Sequence, residues 1–146
     1  MVSAMISLKR AGVGVGVLVI AGVAFLLWYV YGAWPVPDGY EFPRHSHWGG
    51  GPTALFTGEL VDEDGCIRTS GEGRATVIWP PGYSLRLDNN RRPEVSGGGR
   101  VIAMGMQVRL GGGTYDTRTQ LAGISTQGAA DTRCPPPFFL TTGLAE

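Results

Sequence analysis

The sequence predicts an all-β fold, a small closed barrel or else a compact β-sandwich, preceded by one transmembrane α-helix. Three observations carry this. Residues 11–34 hold no charged side chain; residues after 54 alternate short apolar runs with Gly, Pro, Asn and Asp turns; and the only two cysteines, Cys66 and Cys134, lie in that second part. The chain has 146 residues, with 12 basic and 12 acidic side chains that cancel, and Lys9 is the only lysine. A length near one domain and a zero net charge exclude a multidomain enzyme, a basic nucleic-acid binder and a charged disordered tail.

Residues 1–10 read as a short cytoplasmic N-terminus and 11–34 as a membrane anchor. At the helical rise, Ala11–Tyr31 spans roughly 31 Å, close to the hydrocarbon thickness of a bilayer. Trp28, Tyr29, Tyr31 and Trp34 crowd the far end as an interfacial aromatic belt, and Pro35 and Pro37 stop the helix. A cleaved signal peptide is the competing reading, but the apolar run is longer than such peptides carry, and the one small-residue site has the bulky Tyr31 upstream. Lys9 and Arg10 before the span, with Asp38 and Glu41 after it, place the N-terminus in the cytoplasm and the rest outside. Gly12-x-x-x-Gly16 offers a helix-packing face, against the plainer reading that glycine is common in membrane helices.

Residues 35–53 read as a Pro/Gly-rich linker and 54–146 as an exported β domain. Leu55–Val61 leads into the turn signal Asp62-Glu63-Asp64-Gly65, and Cys66–Thr69 follows. Arg74–Trp79 and Tyr83–Leu87 are strands separated by Pro80-Pro81-Gly82, and a short piece lies near Glu94-Val95. Arg100–Met104 and Met106–Leu110 flank Gly105, which predicts a bulge or sharp bend, and Phe138–Thr142 is the last strand. Residues 111–133 lack a clean period and read as a long loop, with a turn of helix near Gln120-Leu121-Ala122. In an exported domain the two cysteines pair as a disulfide, closing a loop of about 69 residues that contributes roughly 4 kcal/mol. Two free thiols, or a cysteine nucleophile beside a histidine, are the alternatives.

The runs Gly65-Cys66-Ile67-Arg68, Trp79-Pro80-Pro81-Gly82-Tyr83-Ser84-Leu85-Arg86, Val108-Arg109-Leu110-Gly111-Gly112-Gly113 and Cys134-Pro135-Pro136-Pro137-Phe138-Phe139-Leu140 resemble small exported bacterial domains of unassigned function. The similarity covers roughly residues 55–142. It implies a β-rich fold with Cys66 and Cys134 paired, and it brings no catalytic residue.

Few residues carry recognisable chemistry. No phosphate-cradle, zinc-protease, Cys-x-x-Cys or nucleophile-elbow motif occurs. His45 and His47 project to one side of an extended chain and form a possible two-ligand metal site; solvated or interface histidines are the plainer reading. Arg86 and Arg109 point outward from their strands as a modest basic face, against an ordinary solvated surface. The expectation is therefore a non-catalytic, single-pass membrane-anchored protein with no cofactor. Its exported domain binds or scaffolds, in one form as an accessory subunit of a membrane or envelope complex. Its partners are the bilayer and another membrane or envelope protein. Nucleic acid is excluded by the exported location and by ten arginines against 12 acids after residue 34. A module for envelope glycan or metal and a small thiol/redox enzyme are the alternatives.

Overall fold

In a computed structural model, the described residues are 19–25, 35–46, 54–71, 73–122, 124, 126–127 and 132–145. The chain divides into two units, Met1–Ala33 and Trp34–Glu146. In the first, residues 19–25 are helical (α1), with Val19, Ile20, Val23 and Phe25 exposed. In the second, the elements in order are β1 (Arg44–His45), β2 (Ala54–Glu63), β3 (Cys66–Thr69), β4 (Thr76–Ile78), β5 (Ser84–Leu87), β6 (Pro93–Gly97), β7 (Arg100–Ala103), β8 (Gln107–Tyr115), α2 (Arg118–Leu121), β9 (Thr126–Gln127) and β10 (Phe138–Leu144).

Strand β2 organises the second unit because it serves two partners. Its first part, from Ala54 to Glu59, pairs antiparallel with β8, and Leu60 to Glu63 pairs with β3. The change of partner falls at Leu60, whose N–H donates to the Met106 carbonyl and whose carbonyl accepts from Gly105. The β2–β3 hairpin turns through Asp64 and Gly65, both at positive φ, and the Asp62 carboxylate accepts from the Gly65 N–H at 3.0 Å. Strand β3 meets β4 at Arg68 and Thr76, β4 runs parallel to β10, and β10 returns antiparallel to β8. The order β10-β4-β3-β2-β8 thus closes on itself.

The expected fold, one small barrel behind a transmembrane helix, requires correction on both counts. The strands fall into separate sheets: β5-β6-β7 is a three-stranded meander of its own, and β1 pairs with β9 and bridges to Trp79 through Arg44. The reason is local. The Gly98-Gly99 turn folds β7 back on β6, and Gly105, at φ +84°, turns the chain so that β8 leaves β7 for β2 and β10. Of the bulge or sharp bend expected at Gly105, the bend is what forms, as a turn between two sheets. Among the described residues no helix is long and apolar enough to cross a membrane. The expected helix-packing residues Gly12 and Gly16 and the aromatic belt of Trp28, Tyr29, Tyr31 and Trp34 lie outside the described residues.

The core forms where the sheets face one another. Leu60, Val77, Trp79, Val108, Leu110 and Phe139 from one side meet Leu85, Val95 and Ile102 of the meander. Fully burying each large apolar side chain contributes roughly 1.5–3 kcal/mol. Alternation sends Ile78, Phe138 and Leu140 to the opposite face, where Leu121 of α2 covers them. That single helical turn is held by a capping box. Thr117 Oγ1 accepts from the Gln120 N–H, and Gln120 Oε1 accepts from the Thr117 N–H.

Residues 41–45, expected within an extended linker, are instead strapped onto the domain. Phe42 stacks on Trp79 at 5.6 Å between ring centroids, and Trp79 stacks on Tyr83 at 5.3 Å. The Trp79 N–H donates to the Pro43 carbonyl, and the His45 N–H donates to the Trp79 carbonyl. Tyr40 and Phe42 supply apolar surface that a solvated spacer would not carry.

Candidate functional site

Cys66, at the start of β3, and Cys134, four residues before β10, form a disulfide with 5.7 Å between Cα atoms. Both are buried. A polar network surrounds this bridge. Arg68 donates to Glu63 at 2.9 Å and to the Arg74 carbonyl at 3.1 Å, and Arg74 completes the pair on Glu63. Arg133 pairs with Glu41 at 3.6 Å, and Thr132 Oγ1 donates to the same carboxylate. Each of these three arginines has a carboxylate partner, Arg68 and Arg74 sharing Glu63, so the network holds its own counter-charges. Its work is to hold residues 39–41 and 132–134 against the β2–β3 hairpin.

The histidine pair expected for metal does not assemble from the described residues. His45 is buried, and its Nε2 donates to the Thr141 carbonyl at 2.7 Å, which joins β1 to β10; His47 lies outside the described residues. Among the described residues no group of three His, Cys, Asp or Glu side chains could hold a metal ion.

The expected basic face of Arg86 and Arg109 is divided between sheets. Arg86 lies on β5 opposite Glu94 of β6, whereas Arg109 lies on β8 opposite Thr57 of β2. Next to Arg86, Asp88 closes the β5–β6 turn. Its carboxylate accepts from the Arg92 and Asn90 N–H groups at 2.8 Å each and from the Arg92 side chain at 3.0 Å. The Arg92 N–H first, then the Asn90 N–H and the Arg92 guanidinium, hold the Asp88 carboxyl below its usual range, although its partial desolvation acts the other way. A folded-state pKa below the unfolded value near 3.9 means that this contribution is fully present above about pH 4 and is lost as pH falls through the folded value. Urea titrations across pH 2–6 should therefore show a shallower acid decline for Asp88→Asn than for the parent chain; identical slopes would remove Asp88 from the acid sensitivity.

Arg109 does have a basic neighbour, but it is Arg100. The two line an open groove of about 460 Å³ where β7, the Gly105 turn, β8 and the end of β10 come together. Val101 and Met106 are its exposed apolar residues, at 54% and 50% of full exposure, and Leu144 and Ala145 form its other wall. The wall is fixed to β8 by the Ala145 N–H, which donates to the Arg109 carbonyl at 2.8 Å. Tyr83 sets the relation of the meander to β10: its ring lies flat against Gly97, and its hydroxyl accepts from the Leu144 N–H at 3.3 Å. Among the described residues neither Arg100 nor Arg109 pairs with a carboxylate, in contrast to Arg68, Arg74, Arg92 and Arg133. The arrangement can hold a chain that is apolar along its length and negatively charged at its sides. No family model matches the chain, and no curated protein or solved structure matches it either.

Proposed function

We propose that the chain is a non-catalytic binding or scaffolding protein whose β domain works outside the cytoplasmic membrane, held to the bilayer through the uncharged stretch 11–34, as an accessory subunit of a membrane or envelope complex. The groove between β7 and β8 carries this reading, because among the described residues it sets two exposed apolar side chains beside two guanidiniums without a carboxylate partner. The buried Cys66–Cys134 bridge supports an oxidising compartment, where such bonds form and persist. The same bridge argues against thiol chemistry, since both sulfurs are bonded to each other and shielded from substrate.

Extraction of the full-length chain from its native membranes with a mild detergent, followed by native mass spectrometry, tests this. A companion protein at fixed stoichiometry is the expected result. A monodisperse lone monomer would contradict the proposal.

A further inference from the structure

We infer that the free edge of β7, flanked by Arg100 and Arg109 and bordered by Val101 and Met106, takes an extended acidic peptide segment of a partner protein as an added β-strand. This rests on the reading of the domain as a binding module and names the partner's chemistry.

The edge follows from the register. Strand β7 ends the β5-β6-β7 sheet, and its pairing with β6 begins at Gly97 and Arg100 across the two-residue Gly98-Gly99 turn. A two-residue turn makes that first pair the hydrogen-bonded one, so Arg100 and Ile102 direct their backbone groups to β6. The Val101 N–H and carbonyl and the Ala103 N–H then face away from it, and among the described residues none of the three has a backbone partner. An unpaired edge of this kind is a template for strand addition.

The side chains specify the occupant. Val101 and Met106 offer apolar contact beside the edge, and the guanidiniums of Arg100 and Arg109 offer charge on the same groove. A strand that alternates carboxylate and apolar side chains meets both, since its side chains point alternately to two faces. A second copy of this chain fits poorly, because edge-to-edge pairing of two β7 strands brings together two grooves of the same charge. The competing explanation is that Arg100 is a charge placed only to block aggregation at the edge.

The probe is a fluorescent capped hexapeptide of alternating Glu and Val, titrated by anisotropy against the full chain in mild detergent. Two comparison peptides are the Lys–Val analogue and a Glu–Val peptide N-methylated at alternate residues, which keeps charge but removes ladder hydrogen bonds. The Glu–Val peptide is expected to bind, with affinity falling as salt rises. N-methylation, or the double change Arg100→Gln and Arg109→Gln at these exposed positions, should each weaken it by about tenfold or more. Absence of Glu–Val binding, equal binding of the N-methylated or Lys–Val peptide, or preference for anionic phosphatidylglycerol vesicles over the peptide overturns the inference. So does self-association of the double variant with no peptide bound by the parent, which is the result of an edge charge that only blocks aggregation. The two proposals fail separately. If the native companion stays bound to the double variant, strand addition at this edge is wrong while the module stands; a parent chain extracted as a lone monomer removes the module itself.

Discussion

Replacing Cys66 and Cys134 together with alanine should lower the unfolding free energy by about 4 kcal/mol, the cost of releasing the unfolded chain from a closed loop of this size. The cysteines are 68 residues apart, and the segment they close contains every strand from β3 to β9. Domains of this size have total stabilities of roughly 5–15 kcal/mol, so the loss would remove a large fraction of the whole. The polar contacts of Arg133 and Thr132 with Glu41 remain in the variant, but they are partly exposed and contribute little by comparison. Urea unfolding of the full chain in detergent, followed by tryptophan fluorescence, measures the difference. A change below about 1 kcal/mol would show that the bridge is not what holds the late strand in place.

Gly112→Ala should cost roughly 3–5 kcal/mol, for a reason that propensity alone would miss. A Cβ at this position would lie 2.0 Å from the Leu140 carbonyl oxygen and 2.9 Å from the Thr141 Cα. Those atoms belong to the neighbouring β10 backbone and cannot swing aside as a side chain would, so β8 and β10 would have to separate. Gly105→Ala provides the comparison. It also sits at positive φ, but nothing lies within 4 Å of its Cβ, so its cost is confined to backbone strain of about 1–2 kcal/mol. Urea midpoints of the two variants separate close packing from conformational strain. Equal losses would show that the approach of β8 to β10 is not tight.

The same glycine shows what the sequence conceals. Runs such as Gly111-Gly112-Gly113 lower strand propensity, so residues beyond Leu110 read as a loop, yet β8 continues to Tyr115 because only glycine admits β10 so closely. Where side chains rather than close approach decide, the reading was better. The turn residues Asp64-Gly65 announce the β2–β3 hairpin, and the two cysteines do form a bridge; along β5 simple alternation does not hold, since Ser84 and Leu85 are both buried and Leu87 is exposed. The strap at 41–45 is hidden in the sequence because it sits in a stretch that Pro35, Pro37, Pro43 and Gly49–Gly51 mark as a linker; the apolar rings of Tyr40 and Phe42 are the signal that points to it. Half of the candidate site was visible in Arg109 as an outward-facing arginine. Arg100 belongs to the same arginine-rich stretch of sequence as Arg86, Arg91 and Arg92, but which of them shares a groove with Arg109 is decided by tertiary packing, because the Gly105 turn sends β7 and β8 into different sheets. The parallel pairing of β4 with β10, about sixty residues apart in the chain, is non-local in the same way.

Protease and thiol accessibility in intact spheroplasts tests the central claim most directly, that the β domain occupies the oxidising side of the membrane. Protease added from outside should degrade the domain in the membrane fraction, and a maleimide-polymer reagent should shift the mass of Cys66 and Cys134 only after reduction. Full-length chain recovered in the cytosolic fraction, protected from the protease and with both cysteines labelled before any reductant, would contradict the account.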